Sequence, residues 1–138
     1  MPAPSKIIRY AEPSGPDIRI DSGVYQGFTI PPFYDSMIAK LIVWAEDRPR
    51  CIERTKRALW EFQIGGVRNN IPFHQVVMNN SQFRLGKYNT SFIPKYKILD
   101  QVIQHVKESK TQSTAPKTAA AMAAAVQAVI IATNSGKI

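Results

Sequence analysis

Apolar and charged side chains alternate along Ile18-Arg19-Ile20-Asp21, the period of a half-buried strand with both isoleucines facing inward. Lys6–Tyr10 is a second short run with strand propensity. Between them Glu12-Pro13-Ser14-Gly15-Pro16-Asp17 is a turn cluster, in which the prolines restrict φ and Gly15 admits positive φ. Gly23 and Gly27 bracket Val24-Tyr25-Gln26 as a tight turn, and Phe28-Thr29-Ile30 predicts a further strand stopped by Pro31-Pro32. Met37–Trp44 is apolar at both parities except Lys40, which predicts a strand covered on both faces.

From Asp47 onward the period becomes helical. Asp47 caps a helix with Pro49 in its first turn, and Ile52, Thr55, Leu59 and Phe62 form its apolar stripe. Gly65-Gly66 is expected to stop it. A second helix starts near Asn70, with Pro72 early and Phe73, Val76 and Val77 as its apolar set. Asn79-Asn80 favours a turn, Ser81–Leu85 a single helical turn ended by Gly86, and Asn89–Ile93 a short strand. Pro94 opens a helix through Lys110 that carries Ile98, Val102 and Val106. Residues 110–117 are expected to form a flexible linker and residues 118–138 an alanine-rich tail. The apolar run Thr118–Thr133 has 16 residues, fewer than the ~20 needed to cross a bilayer, so no membrane association is expected. The expected fold class is α+β: a mainly antiparallel sheet flanked by helices in one domain, residues 1–109.

Composition narrows the function classes. A chain of 138 residues with 44% apolar content supports one core. The single cysteine, Cys51, excludes an internal disulfide framework and fits a reducing, cytoplasmic setting. Pro2, Pro4 and Lys6 interrupt any apolar stretch after Met1, so no secretory signal is expected. The net charge of +8 arises after Arg48. Arg48, Arg50, Arg54, Lys56 and Arg57 either form a solvated helix face or mark a basic adaptor that binds nucleic acid or an acidic protein. No aromatic residues interleave among them to stack bases, which favours the solvated face.

Motifs for chemistry are missing. Neither G-x-x-x-x-G-K-[ST] nor G-x-G-x-x-G occurs. His74 and His105 stand 31 residues apart outside any metal-ligand pattern; His74 reads as a helix residue near a surface and His105 as a solvated one. Cys51 reads as a small apolar helix residue. Asp17, Asp21 and Asp35 lie in or beside turns, where capping is their usual duty. No catalytic, cofactor-binding or metal-ligating residue is assigned.

Pro31-Pro32-Phe33-Tyr34-Asp35-Ser36-Met37-Ile38-Ala39-Lys40-Leu41 closely resembles the P-P-Y-Y-D-x-M-I-x-K-L stretch of the biotin carboxylase C-terminal subdomain. Pro2–Ile7, Ile18–Tyr25, Arg57-Ala58-Leu59, Gly66–Asn70 and Asn89–Ile93 resemble further family motifs in the same order, so the likeness covers about residues 2–108. Ser5, Ser14, Ala45 and Asn69 depart from the family pattern at turn or packing positions. The resemblance implies the C-terminal part of an ATP-grasp enzyme that uses ATP, Mg²⁺ and bicarbonate to carboxylate biotin, with this chain binding none of these cofactors. The family's E-x-R-I-N-A-E-D strand, which carries its catalytic arginine, would fall before Met1. The resemblance further implies as partners the ATP-grasp domains, a biotin carboxyl carrier protein and a carboxyltransferase subunit, with acetyl-CoA, propionyl-CoA or pyruvate as final acceptor. It also implies a homodimer, whose interface would include Arg19 and the preceding turn at Pro16 and Asp17. An ordinary exposed strand arginine is the other reading of Arg19.

Overall fold

The computed structural model describes residues 6–31 and 37–114, with side chains through residue 110. Strands β2 (Ile18–Ser22) and β3 (Ala39–Val43) form an antiparallel ribbon in which Ile18 faces Val43, Ile20 faces Leu41 and Asp21 faces Lys40. The alternation in β2 is realised: Ile18 and Ile20 are half-buried, Arg19 and Asp21 exposed. β3 departs from expectation, because its burial also alternates and none of its residues is buried. A two-stranded ribbon covers one edge only, and α1 packs against β3 on one side, so Ile42 and the adjoining Trp44, 61% exposed, are left at the surface.

A second ribbon pairs β1 (Arg9–Ala11) antiparallel with β4 (Gln63–Gly65), Tyr10 facing Ile64. Ile7 is fully buried just before β1, donates its N–H to the Phe28 carbonyl at 2.9 Å and accepts from Gly27. The strand expected at Phe28–Ile30 is therefore reduced to one antiparallel bridge, Thr29 with Lys6.

Helix α1 (Arg48–Glu61) starts as its sequence dictates. Asp47 Oδ1 accepts the Arg50 N–H at 2.8 Å, Pro49 sits in the first turn, and Ile52, Ala58 and Leu59 are buried. Gly65-Gly66 does not end it. The helix stops at Phe62, whose backbone is extended, and the chain passes directly into β4. The glycines serve a close approach: Gly66 has φ +93°, and a Cβ there would collide with the Lys6 carbonyl and the Ile8 N–H.

Helix α2 (Ile71–Asn79) buries Val76 and Val77, with Asn69 Oδ1, rather than the Asn70 side chain, accepting the Ile71 N–H. Asn80 caps the short α3 (Ser81–Arg84), and Gly86 follows with φ +72°. Asn89–Ile93 is not a strand. Asn89 accepts from Ser91 and Phe92, which opens α4 (Phe92–Lys95) and buries Phe92 against Val76, Val77 and Ile98. The single helix expected from Pro94 to Lys110 is broken at Lys97, which is left-handed at φ 49°. α5 (Ile98–Thr114) continues past residue 110, so the first part of the expected linker, residues 110–114, is helical. The alanine-rich tail lies outside the described residues. By internal contacts the chain divides into Met1–His105 and Val106–Ile138. The α+β class holds as two small antiparallel sheets with helices.

Candidate functional site

The three residues nominated for an interface lie on the turn and strand that lead into the β2–β3 ribbon, and they play different parts. Asp17 is left-handed at φ 60° and turns its carboxylate to α1, where Arg54 Nη1 lies 2.6 Å away. The same Arg54 nitrogen donates to the Trp44 carbonyl, and the Trp44 N–H donates to the Asp17 carbonyl at 3.0 Å. Asp17 is thus tied to strand and helix while remaining at the surface. Pro16 is exposed beside it. Arg19 projects from β2 with 71% of its side chain exposed and donates from Nε and Nη2 to Asp21 Oδ1 and Oδ2, both at 2.8 Å. That paired contact lowers the pKa of Asp21 and raises that of Arg19. Ile42 and Lys40 stand opposite Arg19 and Asp21 in register, so the outer face of the ribbon presents one apolar position among three charges.

The basic side chains of α1 are engaged at home. Arg50 pairs with Glu46 and Asp47, Lys56 with Glu53, and Arg57 with Glu61. Arg48 donates to the carbonyls of Phe83 at 2.6 Å and Arg84 at 3.3 Å, with its guanidinium over the Phe83 ring. Arg84 reaches back to Glu53 at 2.6 Å, which lowers the Glu53 pKa. Each cation on this helix face thus has a carboxylate or carbonyl partner within the same fold.

A cleft of about 830 Å³ opens between β3, α1, β4 and α2, with Met37, Leu41, Leu59, Ile64, Ile71 and Met78 among its apolar walls. Arg68, Asn69, Asn70 and His74 supply its polar side. Burial pushes the His74 pKa below its ordinary value of 6.5. Residue patterns carry no signal for this grouping, because β3, β4 and α2 meet only through the tertiary fold. His105, read from sequence as solvated, is half-buried, with Nε2 3.1 Å from Gln75 Oε1, while Gln75 Nε2 donates to the Leu59 carbonyl. Cys51 is half-buried with its thiol 3.6 Å from the Val43 carbonyl, as a packing residue would be.

Among the described residues no three His, Cys, Asp or Glu side chains converge to hold a metal ion, and no helix is long and apolar enough to cross a membrane. Asp17, Asp21, Glu46, Asp47, Glu53 and Glu61 are all committed to arginine or lysine. These residues do not fit a Mg²⁺–nucleotide site.

Comparison with known proteins gives a consistent answer. The sequence profile of the biotin carboxylase C-terminal domain matches residues 1–95. A pyruvate carboxylase subunit of Methanothermobacter thermautotrophicus is 53% identical over 96 residues, covering 70% of this chain and 20% of that protein. Biotin carboxylase 1 of Bacillus subtilis is 44% identical over 99 residues, covering 72% and 22%. The biotin carboxylase domain dimer of Hydrogenobacter thermophilus 2-oxoglutarate carboxylase, solved with MgADP, ADP and bicarbonate, superposes with a TM-score of 0.66 at 37% identity, covering 68% of this chain and 21% of that one. This chain therefore spans about a fifth of the length of the curated relatives it matches, and it belongs to the biotin carboxylase C-terminal domain family.

Proposed function

We propose that this chain serves as the C-terminal domain of a biotin carboxylase, an ATP-dependent ligase, and that it supplies structural wall and dimer surface while the reacting groups reside in the ATP-grasp part. One observation carries the reading. The family match runs through both ribbons and the first four helices, yet the carboxylates on these elements that pair with arginine or lysine serve packing and capping. On this reading ATP, Mg²⁺, bicarbonate and biotin bind outside this chain, in the cytoplasm. The carboxylated biotin belongs to a carrier protein that serves a carboxyltransferase.

The dimer part of the proposal rests on Arg19, with Pro16 and Asp17 behind it. An exposed strand guanidinium that already holds a carboxylate through two parallel bonds has the geometry to exchange it for one across a two-fold axis. The Hydrogenobacter relative is a dimer.

The test is bicarbonate-dependent ATP cleavage with free biotin. The chain alone is expected to show none. A full-length biotin carboxylase in which this chain replaces the matching domain is expected to turn over. Activity of the chain alone, or an inactive but folded chimera, overturns the proposal.

A further inference from the structure

From Phe62 to Leu99 the chain carries Arg68, Arg84, Lys87, Lys95 and Lys97 and no carboxylate. Arg84 pairs with Glu53 of α1. Lys87, Lys95 and Lys97 are exposed and make no ion pair among the described residues, unlike the lysine and arginines of α1. Aromatic rings tie the segments that carry these lysines together. Tyr88 stacks on Phe83 with centroids 5.0 Å apart and meets Phe92 at 5.8 Å. Phe92 is buried and lies 5.4 Å from Tyr96, over whose ring Lys95 Nζ stands at 5.5 Å. The loop with Lys87 and the α4 turn with Lys95 are therefore joined through side chains, and the left-handed backbone of Lys97 follows directly. Leu85 and Leu99, two residues before Lys87 and two after Lys97, are 64% and 58% exposed.

We propose that this face docks an acidic protein segment with aliphatic side chains, its carboxylates meeting Lys87, Lys95 and Lys97 and its aliphatic groups packing on Leu85 and Leu99. Charge complementarity selects the occupant: three unpartnered cations on a surface that offers no carboxylate of its own attract an anionic partner and repel a basic one. Exposed apolar side chains among those cations supply the desolvated contacts that a protein interface needs. The ring cluster holds the lysine-bearing backbone in place beforehand, so less order is lost on binding. A nucleic acid fits this face less well. Base stacking requires open ring faces, whereas Phe83 and the Arg48 guanidinium stand against Tyr88, and Phe92 and Lys95 against Tyr96. Leu85 and Leu99 also offer nothing to a phosphate backbone.

Fluorescence anisotropy of the 138-residue chain tests it, with a labelled peptide of glutamates and leucines and a labelled single-stranded oligothymidylate as probes. The peptide is expected to bind the more tightly of the two at equal ionic strength, and to weaken as salt is added. Lys87→Gln combined with Lys95→Gln is expected to weaken the peptide about tenfold, and Leu85→Ser to weaken it at unchanged charge. Lys6→Gln combined with Arg9→Gln removes the same charge beside β1 and is expected to leave the affinity within about twofold of the parent. Lys97→Asn, which suits a left-handed backbone, is a further single variant expected to lose affinity. Thermal melts that match the parent show that each variant is folded. A peptide that does not bind, an equal loss in the Lys6/Arg9 control, or tighter binding of the oligothymidylate overturns the proposal. None of these outcomes bears on the biotin carboxylase reading, which is tested by ATP cleavage.

Discussion

The carboxylate of Asp17 lies 2.6 Å from the Arg54 guanidinium and so ties the turn before β2 to the middle of α1, 37 residues later. Arg54 also holds the Trp44 carbonyl at the end of β3, so one side chain joins turn, strand and helix. Arg54→Ala removes a partly buried, charge-assisted pair and leaves Asp17 in a left-handed backbone without its anchor. A loss of about 2 kcal/mol is expected. Urea denaturation checks it as a lower midpoint at unchanged slope.

Gly66→Ala is expected to cost about 2 kcal/mol or more. The new methyl would meet the Lys6 carbonyl and Ile8 in a left-handed backbone, and backbone atoms have little room to yield. Gly23→Ala is the control: no atom lies within 4 Å of the added Cβ, so its midpoint stays near that of the parent. Parallel thermal melts of the two variants separate a steric demand from a general cost of losing glycine.

His74 makes stability depend on acid. Burial lowers its folded pKa below the ordinary 6.5, so the unfolded chain binds the proton more readily. Stability is therefore full above pH 6.5 and falls as pH drops through the window between the unfolded and folded values. His74→Gln is expected to flatten that decline relative to the parent. Denaturant midpoints taken from about pH 7.5 to about pH 5 check it, and equal slopes for both proteins refute it.

Arg19 separates folding from assembly. Its pair with Asp21 is exposed, and exposed ion pairs add little to stability, so Arg19→Glu should leave the denaturation midpoint of the chain unchanged. In a full-length biotin carboxylase carrying this domain, the same change is expected to shift sedimentation from dimer to monomer. An unchanged dimer ends the interface assignment.

Legibility in the sequence follows the range of the interactions. The Asp47 cap, the Asn80 turn and Gly86 are readable because each is settled by hydrogen bonds or φ within a few residues. The strand reading of Asn89–Ile93 fails because its strand-forming residues have no partner strand among the described residues, whereas the Phe92 ring has a core to enter. The helix-stop reading of Gly65-Gly66 fails for a related reason: the demand for glycine comes from Lys6 and Ile8, far away in the chain. The cleft is illegible because its walls come from four elements that no local pattern connects.

By itself the sequence determined the family, through ordered motifs, and the local starts and stops of most elements, through side chains that bond to their own neighbourhood. Only the tertiary structure decided that the described strands pair as two ribbons, that the cations of α1 find their partners within the fold, and that β3, α1, β4 and α2 enclose an apolar cleft. The physical reason is distance along the chain. Capping and turn chemistry act over a few residues, whereas strand pairing, burial and ion-pair choice depend on groups brought together only when the whole domain closes.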